Sequence, residues 1–253
     1  MTTTIAIMQP YFLPYIGYFQ LMSAVDRFVI LDDVNYINRG WINRNRIPNT
    51  STDATQWLTV PLRRASQNRL IRELSIASDN GWKNCMLRTI RNCYARSPES
   101  ADMIPRFERW LNTAHGNLSD FLRRTLADIA ERCDITTTII PTSSVYPRNG
   151  LRGQNRILDI CRQEGATTYV NPAGGRHLYD HTLFQAAGVE LMFLNPEINP
   201  LQLAFSESCG PVISILDLLM RNPPDLLQQV IHSSELQRSD ESVTAPATQK
   251  CVA

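Results

Sequence analysis

Lysine is almost missing from this 253-residue chain: Lys83 and Lys250 stand alone among 25 basic residues, the rest being Arg, against 24 acidic ones. The formal net charge of +1 argues against a nucleic-acid coat or a polybasic membrane binder. No apolar run approaches the roughly 20 residues that span a bilayer. The opening Met1–Met8 is too short and uncharged for a signal peptide. The six cysteines form no CxxC pair and, without an export signal, read as reduced thiols in a cytoplasmic protein. Cys85 and Cys93, eight apart on an expected helix, are expected to pack in the core. The four His show no HExxH pattern. His177 and His181, four apart, would share a helix face, but no third ligand accompanies them, so neither a metal nor a cofactor is expected. GxSxG, the P-loop and GxGxxG are also absent, which removes the usual signatures of serine hydrolases and phosphate-cradling loops.

What is present describes an ordinary globular chain, with 43% hydrophobic and 19% charged residues. The charge is unevenly placed. Arg27 to Arg72 holds eight Arg against Asp32, Asp33 and Asp53, a balance of +5. Thr182 to Ala253 holds three basic residues against eight acids, a balance of −5. The N-terminal part is therefore the place for an anionic ligand, phosphate or carboxylate suiting Arg forks best.

Apolar patterning alternates between strand and helix. Thr4–Met8, Arg27–Leu31, Thr136–Pro141, Thr167–Val170 and Val189–Leu194 read as buried strands. Ile16–Ala24, Gly153–Gly165 and Leu178–Ala187 read as the helices between them. Gln56–Leu62 and Glu73–Ala77 are further strand candidates, and Asn80–Arg96, Ile104–Thr113 and Leu118–Cys133 form a helical stretch. Ile213–Met220 and Asp225–His232 are two last helices. The fold class is α/β, a mostly parallel sheet flanked by helices, with a helical insertion at about 80–133. One domain over 1–232 and a disordered tail over 233–253 are expected.

Four segments carry candidate chemistry. In a doubly wound sheet, loops at the carboxyl ends of strands line the ligand crevice. Gln9–Phe19 sits in such a place, between a strand and a helix start; Gln9, Tyr11 and Tyr15 carry polar tips, and Gly17 allows close backbone approach. Leu31–Tyr36 follows the second strand. Of its adjacent carboxylates only one need face the crevice, and Asp33 is favoured over Asp32. The other would serve as a cap or pair with Arg44 or Arg46. Arg39–Ile47 alternates. Asn43 and Asn45 share one side of an extended segment, and Arg44 and Arg46 share the other as an anion clamp beside Trp41. The fourth comprises Arg152–Arg156, with Gln154, and Tyr169–Arg176, where Asn171, Gly174 and Gly175 leave a strand. Asp217, inside an apolar helix, needs a partner and reads as structural. Core aromatics and solvated Arg are the ordinary alternatives at each place. The strand–proline–aromatic–helix layout is like a nucleotidyltransferase turn in shape only, since Tyr15 and Tyr18 stand where an HxGH motif has His.

On these residues the chain resembles the WbqC-like protein family. The match rests on Met8–Phe19, Leu31–Tyr36 and Arg39–Arg46. It continues through Gly153-Gln154, Gly165–Pro172, Gly174-Gly175, Leu178–Asp180 and Ser214–Met220, covering about residues 3 to 232. Cys209–Val212 departs from the pattern, where an aromatic-bearing segment would roof the site. The resemblance implies a bacterial protein of polysaccharide or specialised-metabolite clusters, O-antigen assembly among them, and supplies no settled reaction. The leading expectation is a transferase moving an acyl or aminoacyl group onto an amino sugar or other small amine. In it Asp33 is the base, with Asp32 and Tyr11 beside it, Arg44 and Arg46 hold a phosphate, and Asn43, Asn45 or backbone N–H groups polarise the carbonyl. Tyr36 and Gln154 join the substrate-binding set. The alternatives are a nucleotide-dependent nucleotidyltransferase or ligase, and a scaffold docking an acidic acyl carrier protein. The partner expected is a small, anionic molecule, with no nucleic acid and no membrane span.

Overall fold

The computed structural model describes residues 2–49, 52, 54–196, 203–204 and 213–239. A six-stranded sheet is its centre. In chain order its parallel members are β1 (Thr4–Met8), β2 (Arg27–Ile30), β7 (Thr138–Ile140), β8 (Thr168–Pro172) and β9 (Glu190–Asn195). The spatial order is β9-β8-β1-β2-β7, and an antiparallel β10 (Glu235–Arg238) closes the β9 edge. Helix α1 (Ile16–Ser23) joins β1 to β2, α5 (Gly153–Gln163) joins β7 to β8, and α6 (His181–Ala186) joins β8 to β9. After β7 the chain returns across the sheet to β8, so the topological switch lies between β1 and β8.

The crossover from β2 to β7 carries the insertion. It holds a hairpin of β3 (Arg44–Pro48) and β4 (Thr55–Thr59), then a short pair of β5 (Leu62–Arg63) and β6 (Ser75–Ile76). Three helices follow, α2 (Gly81–Tyr94), α3 (Ser100–Thr113) and α4 (Leu118–Arg132), where sequence patterning places the helical insertion. Helices α7 (Ile215–Arg221) and α8 (Pro224–His232) end the helical part.

Strand periodicity splits the core in two. Ile5, Ile7, Val29, Tyr169 and Phe193 point to one face and pack on Ile157, Ile160 and Phe184 of α5 and α6. Ala6, Phe28, Ile30, Val170 and Leu194 point to the other, under α1, α7, α8 and the insertion. This two-sided burial explains why the strands read as continuous apolar runs.

Three local expectations change. Glu235–Arg238, placed in the disordered tail, pairs with β9 through Arg238↔Met192 to Glu235↔Asn195. Residues 240–253 lie outside the described residues, as does the Cys209–Val212 segment. Cys85 is exposed and Cys93 half-buried, because α2 turns Met86, Leu87, Ile90 and Tyr94 inward instead. His177 lies in a 3-10 turn and His181 begins α6 after the Asp180 cap, so the two do not share one helix face. Asp217 does find its partner: Arg221 Nε donates to it at 2.9 Å.

The β1–β2 register is pinned at its open end. Asp26 accepts from the backbone N–H of Thr4 (2.7 Å) and from its hydroxyl (2.8 Å), and donates its own N–H to Thr4 Oγ1 (2.9 Å). The Thr4 backbone bond first, then the hydroxyl, holds the exposed Asp26 carboxyl below its ordinary range. A folded-state pKa below the unfolded one contributes stability above the unfolded value, lost as pH falls through the folded value. The stability difference between wild type and Asp26→Asn therefore shrinks as pH falls below about 5 through the carboxylate range. A difference independent of pH over that range in urea titrations would contradict this.

Candidate functional site

Three features meet the carboxyl edge of the sheet or adjoin it. The first is the switch-point crevice. The parallel register Ile5↔Tyr169 runs Gln9 alongside the start of the 3-10 segment Ala173–Leu178, which holds Gly174 and Gly175. Gln9 Oε1 is buried with no hydrogen-bond partner among the described residues. Such an orphan acceptor is worth about 1–3 kcal/mol to any donor that reaches it. Tyr15 precedes α1 and is half-buried, and Tyr11 packs at 5.8 Å from the Tyr18 ring. Tyr18 donates to Gln9 O at 3.0 Å, and burial first, then Tyr11, raises its phenol well above the usual value. Gly17 is required by space: a Cβ there would overlap the Tyr15 ring and sit 2.9 Å from Pro196 Cγ. Gly175 is required likewise, because a Cβ would overlap Asn171 Oδ1.

The turn leaving β1 is strained. Leu13 is fully buried with φ of 48°, a left-handed conformation that costs a branched residue on the order of 1–3 kcal/mol. Its surroundings hold it there. Asn45 Nδ2 donates to Phe12 O (3.1 Å) and Leu13 O (2.6 Å), and Ser214 Oγ donates to Leu13 O (2.9 Å). The Ile215 N–H donates to Pro14 O (2.9 Å), and the Phe12 N–H to Trp41 O (3.0 Å). Asn45 thus positions the loop that leaves β1. Asn43 is buried too, accepting from Tyr36 Oη at 2.8 Å and donating to Val60 O at 2.8 Å. Both side chains are engaged in internal hydrogen bonds, as is that of Tyr36.

The second feature is the hairpin surface. The alternation along β3 sends Asn45 inward while Arg44 and Arg46 share the outer face. The antiparallel register sets Arg46 opposite Trp57, which is 46% exposed. Arg44 Cζ lies 3.9 Å from the Trp57 ring centroid, and Arg46 lies 5.4 Å from Trp41 and 5.7 Å from Trp57. Arg44 also donates to the carbonyls of Gly40 and Arg39. These guanidiniums stack on tryptophan, and neither pairs with Asp32 or Asp33. Trp57 was not among the sequence candidates; cross-strand pairing alone brings it here.

The third feature is the carboxylate pair after β2. Both side chains are buried at 3% exposure, yet their surroundings differ. Asp33 Oδ2 accepts from Arg156 Nη2 at 3.0 Å, and its Oδ1 from Ser143 Oγ at 2.6 Å. Arg156 is locked in turn by the carbonyls of Ser143, Tyr146 and Pro147 at 3.0, 2.9 and 3.0 Å. Asp32 accepts only from hydroxyls: Thr142 at 2.7 Å and Ser143 at 3.3 Å on Oδ1, and Ser119 at 2.7 Å on Oδ2. Among the described residues no cation lies within ion-pair distance of it. Asp32 lines a cavity of about 490 Å³ with Arg72, Asn117, Ser119, Asp120, Arg123, Pro141, Thr142 and Ser144. The expected order of the two is reversed: the Arg156 ion pair keeps Asp33 from the cavity, and Asp32 faces it.

Sequence reading also missed Arg72, Ser119 and Thr142–Ser144. Thr142-Ser143-Ser144 directly follows β7, so the strand-end rule applied to Asp32 would have found it. Ser119 and Asn117 are equally good cap candidates by sequence, and Asn117 performs the task by accepting from the Asp120 N–H.

The remaining candidates make internal hydrogen bonds. Asn171 Nδ2 donates to Tyr169 Oη (2.7 Å) and Tyr179 Oη (3.2 Å) on the α5–α6 side. Gln154 Oε1 accepts from the Asp180 N–H at 2.9 Å. Burial pushes the thiols of Cys133 and Cys161 up to about 12, so neither is a nucleophilic thiolate at neutral pH. Among the described residues no group of three or more His, Cys, Asp or Glu could hold a metal ion. No described helix is long and apolar enough to cross a membrane.

Comparison with known proteins settles the lineage. Residues 9–229 match the WbqC-like protein family. The chain belongs to that family. It is 30% identical over 231 residues to the uncharacterized protein Rv1507c of Mycobacterium tuberculosis, spanning 88% of this chain and 97% of that one. No solved structure matches. In this WbqC-like protein, the matched span begins at Gln9 and takes in the crevice loop, the hairpin and both carboxylates.

The Asn45 clamp generates a stability prediction. Asn45→Ala removes the donor to two buried carbonyls and lowers unfolding free energy by about 1–3 kcal/mol. A denaturant midpoint equal to wild type at unchanged slope would contradict the clamp.

Proposed function

We propose that this WbqC-like protein is a biosynthetic transferase that moves an acyl or aminoacyl group onto the amine of an amino sugar or another small amine. The setting is cytoplasmic assembly of polysaccharide or a specialised metabolite. The observation that carries the reading is Asp32: a buried carboxylate, oriented by three hydroxyls, facing a polar cavity at the carboxyl edge of a parallel sheet. That is where α/β enzymes place their chemistry. An amine brought to Asp32 gives up a proton to the carboxylate as its nitrogen attacks the acyl carbon. The new C–N bond replaces the bond to the donor's sulfur or oxygen, and the leaving group takes up a proton. The donor is a carrier-protein thioester or an activated nucleotide derivative. The exposed Trp57 with Arg44 and Arg46 offers an acidic carrier protein a cationic, aromatic surface.

A second reading, a nucleotide-dependent nucleotidyltransferase or ligase, is favoured by one separate observation. The orphaned Gln9 Oε1 lies at the switch point, where doubly wound sheets bind nucleotides.

The test is transfer from an acyl-carrier-protein thioester to an amino sugar, followed by mass spectrometry. Asp32→Asn lowers kcat about 10²–10⁴-fold while the thermal melt stays near wild type. Asp32→Asn retaining wild-type turnover would overturn the assignment. ATP or CTP consumption coupled to product would favour the second reading.

A further inference from the structure

We infer that the Asp32 cavity takes a small molecule carrying both an ammonium and an anionic group, carboxylate or phosphate, so that the acceptor is zwitterionic rather than a neutral amine. The inference rests on reading Asp32 as the acceptor site.

The first argument is charge. A buried carboxylate is costly without a compensating cation. Asp33 has one in Arg156, whereas Asp32 has the hydroxyls of Ser119 and Thr142, a share of the Ser143 proton, and no cation among the described residues. A carboxylate offers about four acceptor sites. Two bonds fall on Oδ1 and one on Oδ2, which leaves Oδ2 able to accept another donor from the cavity. An ammonium supplies the donor and the missing charge together.

The second argument is the rim. Arg72 and Arg123 line the same cavity as Asp32 and carry the opposite sign. Arg72 is exposed and steadied by donating from Nη1 to Ser144 Oγ at 2.7 Å. Arg123 is half-buried and 3.8 Å from Asp120, the cavity's other carboxylate. Two Arg against two Asp make the lining neutral, which suits a ligand that is itself dipolar and disfavours a polyanion. Separation of the two signs fixes orientation: the amine enters toward the buried Asp32 and the anion stays at the arginine rim. Both Arg72 and Ser119 come from the crossover between β2 and β7, which supplies recognition as well as bulk.

Calorimetry on the full chain tests this with matched probes. Glucosamine 6-phosphate and L-serine carry both groups; glucosamine carries only the amine, and glucose 6-phosphate and glycerate only the anion. The expected result is that glucosamine 6-phosphate or L-serine binds at least tenfold more tightly than its single-charge counterparts. Which of the two binds separates a sugar phosphate from an amino acid. Asp32→Asn abolishes the preference for the amine, and Arg72→Ala with Arg123→Ala abolishes the preference for the anion. A variant that fails to fold is replaced by Arg72→Gln or Arg123→Gln. Neither zwitterion binding more tightly than its single-charge counterparts, or no heat from any probe at millimolar concentration, would overturn the inference. Transfer onto neutral amines without this selectivity would leave the proposed function standing and remove only the zwitterion. Selective binding without transfer would do the reverse.

Discussion

Two carboxylates enter the interior side by side after β2, and only one is met by a cation. That imbalance organises the carboxyl edge of the sheet. Arg156 reaches from the first turns of α5 to Asp33 and is held by three carbonyls, so this ion pair ties β2 to the segment after β7. Ser143 joins the two halves, donating toward both carboxylates and accepting from both backbone N–H groups at 3.2 Å. With Asp33 neutralised and immobile, Asp32 is left as a fixed negative charge facing the cavity. A fold that keeps such a charge gives up stability for a preformed binding determinant.

The crevice loop is a second place where local preference yields to the surroundings. Leu13 would relax out of the left-handed region if its carbonyl were free. Asn45 of the hairpin and Ser214 before α7 together prevent that. Residues from two distant parts of the chain thereby set the path of Gln9–Tyr15. The hairpin's inner face positions this loop, while its outer face carries the Arg–Trp stack. One strand with period-two alternation performs both tasks.

Much of this was legible in the sequence because it depends on local periodicity. The order of apolar strands and helices implies a parallel sheet, and the Asn/Arg alternation from Asn43 to Arg46 implies two faces. What could not be read depends on long-range pairing. Arg156 lies 123 positions from Asp33, and Ser119 lies 87 positions from Asp32. Nothing near Asp32 and Asp33 says which one an arginine will cover. Glu235–Arg238 has no apolar pattern and becomes a strand only because the β9 edge offers it backbone partners. Trp57 joins the arginines by cross-strand register, which requires the hairpin turn to be known first.

The central claim is that Asp33 is a compensated buried charge and Asp32 an uncompensated one facing the cavity. The most direct measurement is the unfolding free energy of Asp32→Asn and Asp33→Asn beside wild type at neutral pH without ligand. The account predicts that Asp32→Asn is as stable as wild type or more so, because a lone buried charge has been removed. It predicts that Asp33→Asn is less stable by about 3–5 kcal/mol, because Arg156 is left buried without that partner. Equal destabilisation by both substitutions, or a loss confined to Asp32→Asn, would contradict it.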